Sequence, residues 1–243
     1  MAIKKERLDK RVQDTYPQLS RTHIQSLIMQ GKVSVDGQVI TKAGHPTTLE
    51  AIVLVQDEQP PYVCRAGVKL AHALDYFSIN PEGLVVLDAG LSTGGFTDCL
   101  LQRGAQKVYG VDVGYGQVHE KIARDPRVCV MERTNLRNVT ELSEPVDLVT
   151  LDLSFISLTK IIPVITTLLK PHGACVALIK PQFEARREQV GRGGIVKDSA
   201  VHQEVIGRVT DAFQEAGFTC KGVTPSPITG TSGNVEFLGY FVR

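Results

Sequence analysis

Residues 85–98 read VVLDAGLSTGGFTD, a pattern that indicates the fold of the larger part of this chain. The apolar run around Asp88 predicts a strand, the glycines after it predict a tight turn, and the residues after Gly95 predict a helix. A second apolar run, at residues 107–111, then leads to Asp112. An acid at the end of that strand can hold a ribose diol, so the stretch predicts a nucleoside pocket. A glycine turn that serves packing alone is the alternative.

The glycine turn differs from the common phosphate-binding loops. It does not have the G-x-G-x-x-G pattern, and it lacks the Gly-Lys-Ser/Thr ending of a nucleotide-triphosphate loop. S-adenosylmethionine carries a ribose, an adenine, an amino acid and a sulfonium cation, and it suits a turn with the two acids Asp88 and Asp112 nearby. The predicted cofactor is therefore S-adenosyl-L-methionine.

Composition is that of a globular protein with one large domain or two unequal ones. The chain has 243 residues, 42% of them hydrophobic, and its net charge of +1 gives no global field that would attract nucleic acid. Residues 1–45 nevertheless hold eight Lys/Arg against four Asp/Glu. This local excess predicts a basic amino-terminal module.

Cysteine spacing and hydropathy exclude several other classes of protein. The five cysteines are scattered and never spaced as nearby ligands, so we expect neither a metal site nor a disulfide framework. The first residues are charged, and no apolar run approaches the roughly 18 residues of a membrane span. A reducing cytoplasm is the expected location, with organelle import of a longer precursor as the alternative.

The amino-terminal module shows the pattern of two short helices and a hairpin. Residues 6–14 predict an amphipathic helix, and Ser20 is placed to cap a second helix that stops at Gly31. Residues 33–40 alternate around Asp-Gly, which is typical of a tight hairpin, and further strand-like residues follow at 51–55.

This unit resembles the S-four-like RNA-binding domain first known from a small-subunit ribosomal protein. The resemblance is carried by Arg7-Leu8-Asp9, Ser20-Arg21 and residues 31–37. It implies RNA recognition through shape and phosphate position. The implied contact residues are Arg7, Lys10, Arg11, Arg21, Lys32 and Lys42. A merely solvated charged surface is the alternative.

Two prolines in Gln59-Pro60-Pro61-Tyr62 mark the expected domain boundary, because proline resists helix. We expect an RNA-binding domain at 1–59, a linker at 60–65 and a catalytic domain at 66–243. A helix is predicted over 65–77, followed by strands near residues 84–88, 108–112, 128–131, 147–151, 174–179 and 235–242. The predicted fold is α/β, with a doubly wound and mostly parallel sheet, preceded by a small α+β domain.

Polar residues interrupt the apolar pattern at four places. Asp152, Lys180 and Glu236 stand at or near strand ends, and Lys69 lies among the apolar residues of the predicted helix. An ionised group beside such runs is costly to bury unless it is paired or used in chemistry. We therefore expect these residues to be partners, the alternative being ordinary salt bridges or strand-end charges exposed to water.

The four residues and the glycine turn together resemble the TlyA family, also labelled haemolysin A. Its catalytic domain is similar to FtsJ-type ribose 2′-O-methyltransferases, which have a Rossmann-like class I fold. The matching segments are 62–70, 88–98, 152–158, 180–184, 193–198, 226–230 and 233–238. Three residues depart from the family's usual choices: Cys64, Ala66 and Leu91. The resemblance implies methylation of ribosomal RNA, with cytidine 2′-hydroxyls in ribosomal subunits as the expected target.

The resemblance implies a Lys-Asp-Lys-Glu catalytic tetrad. Lys180 is the candidate base, because burial and a second nearby ammonium both favour the neutral form of a lysine. Lys69 would supply that second charge and orient Lys180. Asp152 would steer the lysine near the cofactor, and Glu236 would hold the hydroxyl or a lysine. The two acids oppose the neutral form, so the balance stays open at this point.

Cofactor contacts are expected along the turn and at the next two strand ends. The residues expected around the methionine part are Asp88, Gly90, Ser92, Thr93, Gly94, Gly95 and Phe96. Asp112, with Val113 beside it, is expected to accept hydrogen bonds from the ribose hydroxyls of the cofactor. Asp152, a member of the tetrad, is expected to contact the cofactor as well. Asn135 is placed to meet the adenine edge, with a plain turn asparagine as the alternative.

A glycine-rich basic loop follows Lys180, over residues 184–198, and it carries Arg186, Arg187 and Arg192. We expect this loop to close over RNA and Arg65 to contact RNA as well, the alternative being a solvated surface loop.

Two other functions compete with catalysis. One is a ribosome-assembly or RNA-binding protein without activity, and the intact tetrad and glycine turn argue against it. The other is a membrane-lytic toxin, as the haemolysin label suggests. It lacks support from any signal segment, membrane span or long cationic amphipathic helix.

Overall fold

The computed structural model describes residues 5–56 and 61–243. The chain divides into two compact units, Met1–Gln59 and Pro60–Arg243, and each is described here by itself. The Gln59-Pro60 step at which the sequence predicts a boundary lies outside the described residues.

The smaller unit packs two helices against short strands. Its elements are β1 (Lys5–Arg7), α1 (Leu8–Thr15), α2 (Arg21–Met29), β2 (Val33–Val35), β3 (Gln38–Val39), β4 (Pro46–Thr48) and β5 (Val53–Val55). The strands form a sheet of order β3-β2-β5 and a separate β1-β4 pair, which the sequence did not predict. The buried core combines both helices with β2 and β5, through Leu8, Val12, Ile24, Ile28, Val33 and Val53.

Local sequence explains the ends of these elements. The Ser20 hydroxyl accepts a hydrogen bond from the backbone N–H of His23 at 3.3 Å, so it caps α2 as predicted. Asp36 and Gly37 both have positive φ, 49° and 82°, between β2 and β3. A two-residue hairpin turn of this type needs positive φ at both positions, which Asp-Gly accepts readily.

The larger unit is built around a seven-stranded sheet. Its helices are α3 (Ala66–Tyr76), α4 (Gly95–Gln102), α5 (Glu120–Ala123), α6 (Ile162–Leu168), α7 (Pro181–Glu184) and α8 (Ser199–Glu215). Its strands are β6 (Val85–Ala89), β7 (Lys107–Val111), β8 (Val128–Met131), β9 (Val146–Leu151), β10 (Leu169–Ile179), β11 (Thr219–Pro225) and β12 (Phe237–Val242).

The strand order is β11-β12-β10-β9-β6-β7-β8. Strands β10, β9, β6, β7 and β8 are parallel, whereas β12 runs antiparallel to both of its neighbours. The predicted doubly wound, mostly parallel sheet is confirmed. Strand β11 was not predicted, because Thr219–Pro225 mixes polar residues with a glycine and ends in proline, which weakens a strand pattern.

Helices cover both faces of the sheet. One core layer contains α6 and α8, with Ile165 and Phe213 fully buried, and the other contains α3 and α4, with Leu70 and Leu100 fully buried. The chain leaves β6 towards β7 and β8, then returns to the other side of β6 to form β9. The carboxyl ends of β6 and β9 therefore flank a topological switch point, where open α/β sheets bind ligands.

Candidate active site

Two ion pairs lie in one cavity at the carboxyl edge of the sheet. Lys69 Nζ is 2.6 Å from Glu236 Oε2, and Lys180 Nζ is 2.6 Å from Asp152 Oδ1. All four side chains line a cavity of about 330 Å³. The topology explains the meeting: Asp152 follows β9, Lys180 follows β10, and Glu236 precedes the antiparallel β12, so these positions share one edge.

Burial makes both pairs sensitive to change. The side chains of Lys69 and Glu236 are 7% and 3% exposed, and those of Lys180 and Asp152 are 10% and 16% exposed. A charge held this far from water depends on its partner, because removal of one member leaves the other charge uncompensated. The sequence therefore predicted four residues that the structure brings together, as two separate pairs.

Further polar groups complete this cavity. Ser154 Oγ accepts a hydrogen bond from Lys180 Nζ at 3.2 Å. At the rim, Arg65 donates to Thr231 Oγ1 at 2.9 Å. Gly230 lies against the pairs so closely that a Cβ on it would stand 2.5 Å from Glu236 Oε1. The sequence pattern did not indicate roles for Ser154 and Thr231, although both lie within or beside the segments that match the family.

A second cavity of about 460 Å³ adjoins the first. The two cavities share Gly90, Ser92, Asp152 and Ser154 in their linings. The second is lined further by the ends of β7 and of the segment after β8, with Asp112, Val113, Gly114, Thr134, Asn135 and Leu136. It combines apolar side chains with a carboxylate and an amide, as a nucleoside site requires.

Asp112 is held in place by backbone donors. Its Oδ2 accepts from Ser92 N–H at 2.8 Å and its Oδ1 accepts from Gly114 N–H at 2.7 Å. These bonds fix the orientation of the carboxylate at the cavity wall and leave further lone pairs on each oxygen for a diol. Asn135 Oδ1 accepts from Arg137 N–H at 3.1 Å, so Asn135 both caps a turn and lines the cavity.

The turn itself depends on close backbone approach. Gly90 has φ +91°, and a Cβ on it would lie 2.4 Å from the carbonyl oxygen of Asp152. Gly94 has φ +97° and faces Ile122, and a Cβ on Gly95 would lie 2.5 Å from Cys64 Sγ. Thr93, Gly95 and Phe96 line the first cavity rather than the second.

Leu91, one of the three departures from the family's usual residues, is 2% exposed and belongs to the core layer under α3 and α4. A Cβ on Gly110 of β7 would lie 2.7 Å from Leu91 Cδ2. The large side chain is thus accommodated by a glycine on the neighbouring strand.

Asp88 lies beneath the turn and outside the linings of both cavities. It is fully buried and accepts from Thr97 Oγ1 at 2.6 Å and from Thr150 Oγ1 at 2.9 Å. Burial raises the pKa of Asp88 to about 6, although the two threonine hydroxyls oppose that rise. This placement makes Asp88 a support for the turn rather than part of a cavity wall.

The raised pKa of Asp88 predicts a pH-dependent stability. A carboxyl group whose folded pKa of about 6 exceeds its ordinary value of 3.8 favours folding more as pH falls through 6, and the gain levels off below 3.8. Between pH 7 and pH 5 this group should add on the order of 1 kcal/mol to the free energy of unfolding. Asp88→Asn should remove that increment, as measured by denaturation at both pH values. An equal pH dependence in the two proteins would contradict the assignment.

The predicted RNA contacts of the smaller unit lie on its surface, several of them in ion pairs. Arg7 pairs with Asp9 at 2.8 Å, and Lys10 pairs with Glu6 at 3.2 Å. Hydrogen bonds from Arg7 lower the pKa of the buried Asp9 to about 2. Arg21 and Lys42 are exposed, Lys32 is half-buried, and Arg11 donates to the Leu49 carbonyl at 2.9 Å.

The predicted basic loop is exposed in the larger unit. Arg186 and Arg187 are both exposed, and Arg186 lies 3.9 Å from Glu204 of α8. The loop is fastened at its end by Asn234, whose Oδ1 accepts from Val196 N–H at 2.9 Å.

Comparison with known families decides the identity of both units. The FtsJ-like methyltransferase family matches residues 62–243, and the S4 domain matches residues 6–53. This chain belongs to the FtsJ-like methyltransferase family. It is therefore a methyltransferase, and its cofactor is S-adenosyl-L-methionine. The site fits that donor, since a rigidly held carboxylate and an apolar cavity adjoin a glycine turn that admits close approach.

Relatives of known name cover nearly the whole chain. It is 44% identical to YqxC of Bacillus subtilis, over 98% of this chain and 86% of that protein. It is 43% identical to the 16S/23S rRNA (cytidine-2′-O)-methyltransferase TlyA of Mycobacterium tuberculosis, over 90% of this chain and 83% of that protein. It is 40% identical to Hemolysin A of Brachyspira hyodysenteriae, over 97% of this chain and 99% of that protein.

Solved structures support the same fold. A protein from Streptococcus thermophilus that carries the hemolysin name has a TM-score of 0.76 and 38% identity, covering 100% of this chain and 90% of its own. An S-adenosylmethionine-dependent methyltransferase from Mesorhizobium loti has a TM-score of 0.54 at 16% identity, covering 71% of this chain and 96% of its own, which shows a shared fold.

Two kinds of feature are missing from the described parts of the chain. Within residues 5–56 and 61–243, no helix is both long enough and apolar enough to cross a membrane. Across the same residues, no group of three or more His, Cys, Asp or Glu side chains is arranged to hold a metal ion.

Proposed function

We propose that this protein methylates the 2′-hydroxyl of a cytidine ribose in ribosomal RNA, using Lys69, Asp152, Lys180 and Glu236 as a catalytic tetrad. The observation that carries the proposal is the pair of buried ion pairs in one cavity that adjoins the cofactor turn. The TlyA relative named as a 16S/23S rRNA (cytidine-2′-O)-methyltransferase supports both 2′-O-methylation as the reaction and cytidine as the nucleoside.

The two cavities divide the work between donor and acceptor. S-adenosylmethionine supplies an electrophilic methyl group on a sulfonium. Asp112, Val113 and Asn135 of the second cavity would hold its nucleoside, while Gly90 and Ser92 at the junction would hold its methionine part. The first cavity then receives the ribose of the RNA, so that its 2′-oxygen faces the methyl group. Alignment of the two reactants accounts for a large part of the rate acceleration.

Lys180 accepts the proton of the 2′-hydroxyl as the new C–O bond forms and the C–S bond breaks. Asp152, 2.6 Å from Nζ, stabilises the ammonium that results, and Ser154 fixes the direction of the side chain. Glu236 holds Lys69 at 2.6 Å and thereby limits its approach to the ribose.

RNA would be brought to this site by the S4 domain, with residues 1–59 as the RNA-binding domain, 60–65 as a linker and 66–243 as the catalytic domain. The exposed basic side chains of the smaller unit support contact with the phosphate backbone. Arg65 at the cavity rim and Arg186 and Arg187 in the basic loop would add contacts near the reacting ribose. The expected partner is a ribosomal subunit in the cytoplasm.

Mapping of ribose methylation in ribosomal RNA tests the proposal directly. Subunits from cells that lack the protein are incubated with purified protein and radiolabelled S-adenosylmethionine, and the labelled nucleotide is identified by mass spectrometry. We expect label on a cytidine 2′-oxygen. Label on a base, or RNA binding without any transfer, would contradict the proposal, the latter indicating an assembly factor.

A further inference from the structure

The position of Lys180 depends on a segment without regular structure. Its ion-pair partner Asp152 and its hydrogen-bond acceptor Ser154 both lie on residues 152–157, between the end of β9 and a 3-10 turn that begins at Leu158. Strands β9 and β10 are last paired at Leu151 and Ala177, and the N–H of Asp152 still donates to the Ala89 carbonyl oxygen of β6 at 3.0 Å, so the sheet holds the start of this segment but not residues 153–157. Another interaction must therefore hold the segment beside Lys180.

Glu184 makes that interaction. It lies four residues after Lys180, at the end of the short helix α7. Its Oε2 accepts from Ser157 Oγ at 2.7 Å, and its Oε1 accepts from the N–H of Leu158 at 2.7 Å. The two segments are thus joined at both ends, by Lys180 at one and by Glu184 at the other.

The carboxylate of Glu184 is costly to keep in this place. Its residue is 8% exposed, and burial raises the pKa of Glu184, while the hydrogen bonds from Leu158 and Ser157 and the positive charge of Arg208 oppose the rise. Arg208 of α8 also donates to the Glu184 carbonyl oxygen at 2.5 Å. A buried carboxylate needs such donors, because an unpaired one would lose much of its solvation without compensation.

We propose that Glu184 is a positioning residue: it clamps the segment 152–158 against α7 and so sets the geometry of the Asp152–Lys180 pair. This inference rests on the proposed role of Lys180 as the base. The contacts form a closed circuit: Lys180 pairs with Asp152, the chain continues from Asp152 to Ser157, and Ser157 donates to Glu184, which lies four residues after Lys180. The aromatic rings of Phe155 and Phe183, with centroids 5.0 Å apart, form a further contact between the same two segments.

The charge-neutral Glu184→Gln and the truncating Glu184→Ala distinguish positioning from other roles. In Glu184→Ala both donors lose their acceptor, and a displacement of about 1 Å at a reacting group costs about 100-fold in rate. At saturating S-adenosylmethionine we expect kcat to fall about 100-fold while KM for RNA changes less than about threefold. The Kd for S-adenosylmethionine should rise by less than kcat falls, because residues 153–156 also line the second cavity. Glu184→Gln keeps an oxygen for Leu158 N–H and should recover most of the activity. Glu215→Ala is the matched control, because Glu215 is an exposed glutamate at the end of α8, outside the basic loop and both cavities, and it should match wild type.

The kcat of the Glu184 variants tests the positioning role directly. An unchanged kcat in Glu184→Ala overturns the inference. Calorimetry gives the fraction of the protein that still binds S-adenosylmethionine, and a fall in kcat that is no larger than the fall in this fraction also overturns it. If Glu184→Ala does not fold, Ser157→Ala replaces it, because it removes one of the two donors; an unchanged kcat there overturns the inference. Failure of the proposed function is seen separately, as full activity of Lys180→Ala with Glu184 intact.

Discussion

Lys180→Ala is expected to abolish methyl transfer while cofactor binding survives. Loss of a general base costs about 10²–10⁴-fold, and here the substitution also leaves the carboxylate of Asp152 without its partner at 2.6 Å. The amine lines the first cavity, whereas the predicted nucleoside contacts Asp112 and Asn135 line the second. Transfer of radiolabelled methyl groups measures the first effect, and calorimetry with S-adenosylmethionine measures the second.

The same strand provides a matched control for this experiment. Lys170, near the opposite end of β10, also pairs with an aspartate, with Nζ 2.7 Å from Asp147 Oδ1. Lys170→Ala therefore removes a similar ion pair without touching either cavity that adjoins the turn. It should retain wild-type transfer. Full activity in Lys180→Ala would remove Lys180 from the mechanism and with it the proposed base.

Gly90→Ala is expected to disable the site from the side of the cofactor. The added methyl group would lie 2.4 Å from the carbonyl oxygen of Asp152 and 2.9 Å from its carbonyl carbon. Backbone atoms on both sides must move apart, and φ of +91° is itself strained for alanine. We expect the Kd for S-adenosylmethionine to rise more than about tenfold and methyl transfer to fall further, because Asp152 also serves Lys180.

Gly83→Ala separates strain from the clash in this experiment. Gly83 has φ +72°, and a Cβ on it would meet nothing within 4 Å. Its substitution thus adds the cost of a left-handed alanine, about 1–2 kcal/mol of stability, without steric contact. It should lower the melting temperature while cofactor affinity stays unchanged. Wild-type affinity in Gly90→Ala would show that the turn tolerates the displacement of Asp152.

Local sequence pattern was sufficient to predict many of the elements in both units. The strand ending near Asp88, the cap at Ser20 and the Asp-Gly hairpin follow from short-range rules of burial period and backbone conformation. These rules fail where strands are short or polar. Strands β1, β4 and β11 form because neighbouring backbone pairs with them, which no local pattern displays.

The role of Asp88 depends on a residue distant in sequence. A carboxylate at a strand end beside a glycine turn has the pattern of a ligand contact, but its two oxygens meet the hydroxyls of Thr97 and Thr150 instead. Thr150 comes from a strand 62 residues away. The partner that decides the role of Asp88 is therefore set by strand order.

From the sequence alone it follows that Asp152, Lys180 and Glu236 stand at or near strand ends and that Lys69 lies among the apolar residues of a helix. The sequence also shows that residues 85–98 make a strand, a turn and a helix. The sequence does not show how these charges combine: in the folded chain Lys69 pairs with Glu236, and Lys180 pairs with Asp152. The physical reason is that charge pairing depends on distances of a few ångströms between residues up to 167 positions apart. The sheet order and the antiparallel β12 set those distances, together with contacts such as that of Glu184 with Ser157.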